Sequence, residues 1–127
     1  DRLAVGYGNE NTDLGQNRAF FILDIQLRIV ADNLTFHPET VDSFDLFNND
    51  SLLLSVSRKN EIGFWSTNTF SLIHSRTGPH STHDVRYILS IDSNRIATGG
   101  RDGNVKIWLF GFTPNANLTE IRNLNFN

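Results

Sequence analysis

The sequence predicts an all-β fold built from short antiparallel strands, and three observations support this class. Stretches of five to seven strand-forming residues alternate with turn residues such as Asp92-Ser93-Asn94 and Asp102-Gly103. No segment sustains the apolar period of a helix. Shifting the chain by 43 positions against itself aligns residues of matching type. The 127 residues are therefore expected to form an array of similar β units.

The repeat rests on eight aligned pairs, three of which are identical residues. The pairs are His37 with His80, Phe44 with Tyr87, Leu53 with Ile96, Ser55 with Thr98, Arg58 with Arg101, Ile62 with Val105, Phe64 with Ile107 and Trp65 with Trp108. A single tryptophan pair can coincide by chance, but a whole row of matching types indicates a repeated structural unit.

The repeat divides the chain into three units and a tail. An incomplete unit is expected at 1–36, with a polar loop inserted at 9–17, followed by a unit of four strands at 37–79 and a unit of at least three strands at 80–110. The predicted strands are 41–47, 51–57, 61–66 and 70–75 in the second unit, and 85–91, 95–99 and 104–110 in the third. Residues 111–127 are expected to be a C-terminal strand or extension. Their apolar positions 118, 121, 124 and 126 suit a helical turn as well as a strand, and the strand is favoured.

A unit of this length, with a histidine before its first strand and a tryptophan in its third, resembles the WD40 repeat, one blade of a β-propeller. The resemblance covers about residues 1–110. It implies a partial WD40-type β-propeller of about three four-stranded antiparallel blades. It also implies a structural tetrad of hydrogen-bonded side chains in each blade. In the third unit the tetrad positions are His80, Thr98, Asp102 and Trp108.

The second unit carries the tetrad pattern with one break. Lys59 stands where the resemblance requires the aspartate. In the third unit, His80 precedes its strand by one residue more than its counterpart does, so His83 is a second candidate for the histidine. The matching tetrad positions of the second unit are His37, Ser55 and Trp65.

The residue pattern points away from catalysis. The glycine-rich segment at 99–103 precedes a strand rather than a helix N-terminus, so it lacks the geometry that binds phosphate. No metal-ligand cluster is evident, and the chain has no cysteine. Histidine, threonine and aspartate together resemble a catalytic triad, but triads do not recur with a structural repeat. We therefore expect no enzyme activity, cofactor, metal or small-molecule substrate.

Charge and hydropathy limit the classes of partner that the sequence predicts. The net charge of −3 and the scattered basic residues predict no nucleic-acid partner, and no apolar run reaches the ~18 residues of a membrane span. The resemblance implies a protein–protein interaction scaffold in a multi-subunit complex, in the cytoplasm or nucleus. Three blades leave two open apolar faces, so the chain is interpreted as the C-terminal end of a longer propeller, with the remaining blades among its partners.

Two arginines are the main candidates for partner binding. Arg58 and Arg101 each lie one residue before the tetrad turn position in consecutive units. Paired guanidiniums suit carboxylates or a phosphorylated segment, and the alternative interpretation is a pair of solvated surface arginines. Asp42 and Arg86, at the starts of first strands, are secondary candidates. Two alternatives stay open: a phosphoinositide- and membrane-binding propeller, which would favour an Arg-Arg pair absent here, and a substrate-recognition propeller for phosphorylated or acidic peptides.

Overall fold

The structure, a computed structural model, describes residues 2–6, 19–24, 29–35, 41–80, 84–112 and 114–126, with side chains from residue 41 onward. Across these residues the regular structure consists of strands alone, which confirms the predicted all-β class. The strands are β1 (Arg2–Gly6), β2 (Ala19–Asp24), β3 (Ile29–Thr35), β4 (Val41–Phe47), β5 (Leu52–Ser57), β6 (Glu61–Ser66), β7 (Leu72–Thr77), β8 (Val85–Ser90), β9 (Arg95–Gly100), β10 (Asn104–Gly111) and β11 (Asn117–Asn125). A membrane-spanning helix is not found among the described residues.

The strands form three antiparallel sheets, each in chain order. The first sheet holds β1 to β3, the second β4 to β7 and the third β8 to β11. Within the second sheet each strand pairs antiparallel with its neighbour in sequence, so hairpin turns connect its four strands. Strand β4 contacts both β1 and β8, which places the second sheet between the other two.

The fourth strand of the second sheet begins later than the sequence predicts. It runs from Leu72 to Thr77 rather than over 70–75. Phe70 has a positive φ of 56°, and its N–H donates a hydrogen bond of 2.8 Å to the carbonyl of Ser66. Phe70 therefore belongs to the turn that closes the β6–β7 hairpin, because a left-handed residue cannot continue a pleated strand.

The tail beyond β10 is a strand with a β-bulge. Ile107 pairs with Arg122 while Trp108 pairs with Glu120, so Ile121 is the extra residue. The bulge moves Leu118 and Leu124 to opposite faces of the sheet, since they pair with Phe110 and Val105, five positions apart on β10. This extra residue explains apolar positions spaced by three in a segment that is not helical.

The core lies between the second and third sheets. The rings of Phe64 and Phe110 stack at a centroid distance of 4.8 Å, and Phe47 meets both of them edge-on. Every residue of β5 is buried, because the second sheet is covered on both faces. The buried cluster comprises Phe47, Leu52, Leu54, Val56, Ile62, Phe64, Val85, Ile88, Ile96, Trp108, Phe110 and Leu118.

Polar contacts also join the second and third sheets. The Asp45 carboxylate on β4 accepts hydrogen bonds from the backbone N–H of Ser90, at 2.6 Å, and from its hydroxyl, at 3.0 Å. At the outer strands, the Arg76 guanidinium lies 5.3 Å from the centre of the Trp108 ring, within the range of a cation–π contact. These contacts fix the relative position of the two sheets.

Candidate protein-interaction surface

The structure brings together the four tetrad residues predicted in the third unit. The His80 ring is fully buried, and its Nδ1 lies 3.0 Å from a carboxylate oxygen of Asp102 in the β9–β10 turn. Its Nε2 lies 2.7 Å from the hydroxyl oxygen of Thr98, which also accepts a 2.9 Å hydrogen bond from the indole N–H of Trp108. The four side chains tie the loop before β8 to strands β9 and β10.

The geometry of the tetrad indicates which atom carries the proton in each of its hydrogen bonds. The ionised Asp102 carboxylate can only accept, so Nδ1 of His80 must donate. Nε2 of the neutral ring then accepts the proton of the Thr98 hydroxyl, whose oxygen accepts from the Trp108 indole. Burial raises the pKa of Asp102, but hydrogen bonds from the Asn104 backbone and from His80 outweigh it and leave the pKa below its ordinary value.

The four side chains have the geometry of a stabilising hydrogen-bond network rather than that of a catalytic triad. A nucleophilic hydroxyl must be reachable by a substrate, whereas Thr98 is 1% exposed and lies beneath Trp108. In the tetrad, the His80 ring nitrogens, the Thr98 hydroxyl and the Trp108 indole N–H all have hydrogen-bond partners, which avoids the cost of about 1–3 kcal/mol for an unpaired group. Among the described residues, no group of three or more His, Cys, Asp or Glu side chains could hold a metal ion.

Two residues that support His80 were missed by sequence reasoning. The Asn60 side chain accepts a 3.0 Å hydrogen bond from the His80 backbone N–H and donates one of 3.2 Å to the His80 carbonyl. Gly100 packs against the ring so closely that an added Cβ would lie 2.5 Å from Nδ1 of His80. Two features of the sequence could have indicated these residues: an asparagine in the β5–β6 turn, which has a φ of 61° in the structure, and a second glycine before the β9–β10 turn.

The second unit shows only part of its tetrad. The Ser55 hydroxyl accepts a 2.8 Å hydrogen bond from the indole N–H of Trp65. Lys59, in the place of the aspartate, has an exposed side chain, and its backbone N–H donates to the Ser57 hydroxyl. His37 lies outside the described residues, as do His83 and the loop predicted at 9–17.

All four residues predicted for partner binding lie in one ion-pair network. Arg58 and Arg86 both approach the Asp42 carboxylate, at 3.4 and 3.5 Å. Arg86 and Arg101 both approach Asp84, at 3.4 and 3.8 Å. We call these five residues the seam network, because they run from the second sheet to the third. Sequence reasoning missed Asp84, whose carbonyl also accepts the backbone N–H of Arg101 at 3.0 Å.

The seam network lies at the edge of the sheets that holds the β5–β6 and β9–β10 turns and the entries to β4 and β8. The opposite edge carries the β4–β5 and β8–β9 turns, with an open cavity of about 270 Å³ between them. The pKa of Asp92 at that cavity is lowered, chiefly by hydrogen bonding to Arg95. The cavity is lined by Leu46, Phe47, Asn48, Asn49, Asp50, Ser90, Asp92 and Ser93.

Comparison of the whole chain with solved structures identifies its architecture. Chaetomium thermophilum Sqt1, bound to the N-terminus of the ribosomal protein L10, superposes on 98% of this chain with a TM-score of 0.76 and 16% identity. A chain of the Mitotic Checkpoint Complex superposes on 99% with a TM-score of 0.76 and 20% identity. The chain has the WD40 β-propeller fold. The β-propeller domain of Myceliophteria thermophila Cps50 (Swd1) matches 68% of the chain, with a TM-score of 0.58 and 10% identity.

The likeness to WD40 propellers covers only part of those proteins. The chain spans about a third of their length: 34% of the Sqt1 chain, 36% of the checkpoint-complex chain and 27% of the Cps50 chain. No protein-family model and no curated protein matches the sequence. At these identities the comparison establishes the fold, and the WD40 resemblance predicted from the repeat is confirmed at that level.

Proposed function

We propose that this chain is a protein-interaction module, part of a WD40 propeller scaffold that holds protein subunits in a larger complex. The observation that carries the proposal is the seam network, which presents Arg58 and Arg101 at equivalent turns of neighbouring sheets. Their side chains are 47% and 64% exposed. Two of the structural neighbours, Sqt1 and the checkpoint-complex chain, were solved with bound or assembled protein partners, which supports a binding role.

The turns are rigid supports for these arginines. Each turn joins two paired strands, and the β9–β10 turn is further held by the tetrad through Asp102. Side chains on a fixed backbone lose less freedom on binding, so more of their interaction energy appears as affinity. Guanidiniums bind carboxylates and phosphoryl groups in a planar, two-point geometry, which makes a segment of a partner with such anionic groups a match for this edge.

The test is the double substitution Arg58→Glu with Arg101→Glu. Wild-type protein is used to capture and identify its partners quantitatively, and the variant is expected to lose at least about tenfold in yield, because two attractive contacts become repulsive. Exposed ion pairs contribute about 0–1 kcal/mol each, so the unfolding midpoint should change little.

The matched control is Arg95→Glu with Arg122→Glu, which changes charge equally away from the seam network. It should retain the partners. Equal capture by the Arg58/Arg101 variant and wild type would reject the proposed surface. The expected location in the cytoplasm or nucleus stays a prediction.

A further inference from the structure

In the seam network two of the three cations, Arg58 and Arg101, are more exposed than the anions. The third cation, Arg86, is 29% exposed, which is about as exposed as Asp84. The carboxylates of Asp42 and Asp84 are 16% and 27% exposed, whereas the guanidiniums of Arg58 and Arg101 are 47% and 64% exposed. The aspartates therefore lie beneath these two arginines and hold them from below. The surface that a partner meets is made of guanidinium groups.

These arginines keep hydrogen-bonding capacity for a ligand. The four closest nitrogen–oxygen distances in the network run from 3.4 to 3.8 Å. A two-point arginine–carboxylate pair has distances of about 2.7–2.9 Å, so the internal pairs are loose. A guanidinium has five N–H donors, and Arg58 and Arg101 each approach a single carboxylate, which leaves most of their donors able to bind an incoming anion.

Arg86 is the centre of the arrangement. It is the one guanidinium of the network that approaches both carboxylates, and it lies where β8 of the third sheet faces β4 of the second. Its Nε is buried and has no hydrogen-bond partner among the described residues. The buried Nε is out of reach of a ligand, so an anion would be bound by the terminal nitrogens of Arg86, which already approach Asp42 and Asp84.

Lys59 adds a fourth positive charge to the same edge. It follows Arg58 in the β5–β6 turn, at the position where Asp102 lies in the third unit, and its side chain is exposed. The break in the second tetrad thus replaces a buried structural anion with a surface cation. At the two turns and the strand ends beside them, Arg58, Lys59 and Arg101 are exposed, whereas the acidic side chains are partly buried, so the outermost charges at this edge are positive. The acidic residues are Asp42, Asp84, Asp102 and Glu61.

We propose that Arg58, Arg86 and Arg101 form a binding site for a phosphoserine or phosphothreonine side chain of a partner protein. A phosphoryl group carries about −1.5 to −2 charge at pH 7 and three acceptor oxygens, so it can bridge three neighbouring guanidiniums, whereas one carboxylate has two oxygens and a single charge. This inference rests on the proposed function and specifies the chemistry of the partner that the seam network recognises.

The test measures binding of fluorescent peptide libraries by polarisation, with the protein in excess. One library has phosphothreonine at a fixed position among degenerate flanking residues, and two others have glutamate or threonine there. We expect the phosphothreonine library to bind at least about tenfold more tightly than either, because a dianion engages more charged hydrogen bonds. Equal binding of the glutamate library would overturn the inference.

Arg86→Lys and Arg101→Lys keep the charge but remove the planar fork. Each is expected to weaken phosphopeptide binding by about tenfold. Arg95→Lys, in the third sheet and paired with Asp92, is the matched control and should bind as wild type does. Testing Arg101→Lys, in an exposed turn, keeps the experiment decisive if Arg86→Lys does not fold. Wild-type affinity in both seam variants would overturn the inference.

Two further measurements separate this inference from the proposed function. Phosphatase treatment of the captured partners should abolish recapture by wild-type protein. If recapture survives the treatment but is lost with Arg58→Glu and Arg101→Glu, the interaction surface stands and the phosphoryl site is wrong. Binding to phosphatidylcholine vesicles that contain phosphoinositide, with no binding to phosphopeptides, would also overturn the inference and indicate a membrane ligand instead.

Discussion

Gly100→Ala tests whether the tetrad depends on close packing of the backbone against His80. Gly100 has no positive φ, so its backbone conformation permits alanine. The obstacle is space, because the new Cβ would lie 2.5 Å from Nδ1 and 2.6 Å from Cγ of the His80 ring, and 2.9 Å from Oδ1 of Asp102. Real Cβ atoms do not approach other heavy atoms so closely, so the ring or the strand must move.

The His80 ring has little freedom to move. It is fully buried and is held on one side by Asp102, at 3.0 Å, and on the other by Thr98, at 2.7 Å. Displacing it leaves buried polar atoms unpaired, at about 1–3 kcal/mol, and overpacking costs about 1–3 kcal/mol. Moving the ring relieves the overpacking but breaks its hydrogen bonds, and keeping the ring in place does the reverse, so we expect the free energy of unfolding to fall by about 2–4 kcal/mol.

The assay is urea unfolding followed by tryptophan fluorescence, with Gly99→Ala as the matched control. A Cβ at Gly99 would lie 3.8 Å from Tyr87, an ordinary contact, so this neighbouring change should cost less than about 1 kcal/mol. In a His80→Ala background the two ring contacts are gone and only the 2.9 Å approach to the Asp102 side chain remains, so Gly100→Ala should cost much less than it does in the wild type. If Gly100→Ala and Gly99→Ala are equally stable, the contact does not constrain the tetrad and the reasoning is wrong.

Two further predictions concern the same tetrad. Thr98→Val keeps the shape of the side chain but leaves the Trp108 indole N–H and His80 Nε2 without partners, so the free energy of unfolding should fall by about 2–4 kcal/mol. The control, Thr119→Val at an exposed position, should change the free energy of unfolding little. Equal effects of the two substitutions would contradict the hydrogen-bond network. The lowered pKa of Asp102 means that its ionised form stabilises the folded state above its ordinary pKa, and that this contribution is lost as pH falls through the lower folded-state value. Wild-type protein should therefore lose stability more steeply than Asp102→Asn below about pH 4 in urea titrations, and parallel curves would refute this assignment.

The sequence predicts strands and turns well where local chemistry decides them. Strands β4 and β6 have the predicted bounds, and the predicted turn residues Asp92 and Gly103 lie in turns. The shift of β7 and the bulge in β11 could not be predicted, because both depend on backbone conformation and register at single residues, Phe70 and Ile121. Turn residues with positive φ are usually Gly, Asn or Asp, so the residue type of an apolar residue in such a turn does not predict its conformation.

The sequence by itself determined the repeat and the all-β class, because both depend on residue types at fixed spacings along the chain, and its resemblance to the WD40 repeat implied the four members of the third tetrad. Only the tertiary structure decided how neighbouring units meet. It paired Arg86 of the third sheet with Asp42 of the second, added Asp84 to the seam network, and used Asn60 of one turn to hold His80 of the next unit. These contacts cross between units, where the distance between two side chains depends on how the sheets pack rather than on any period along the chain.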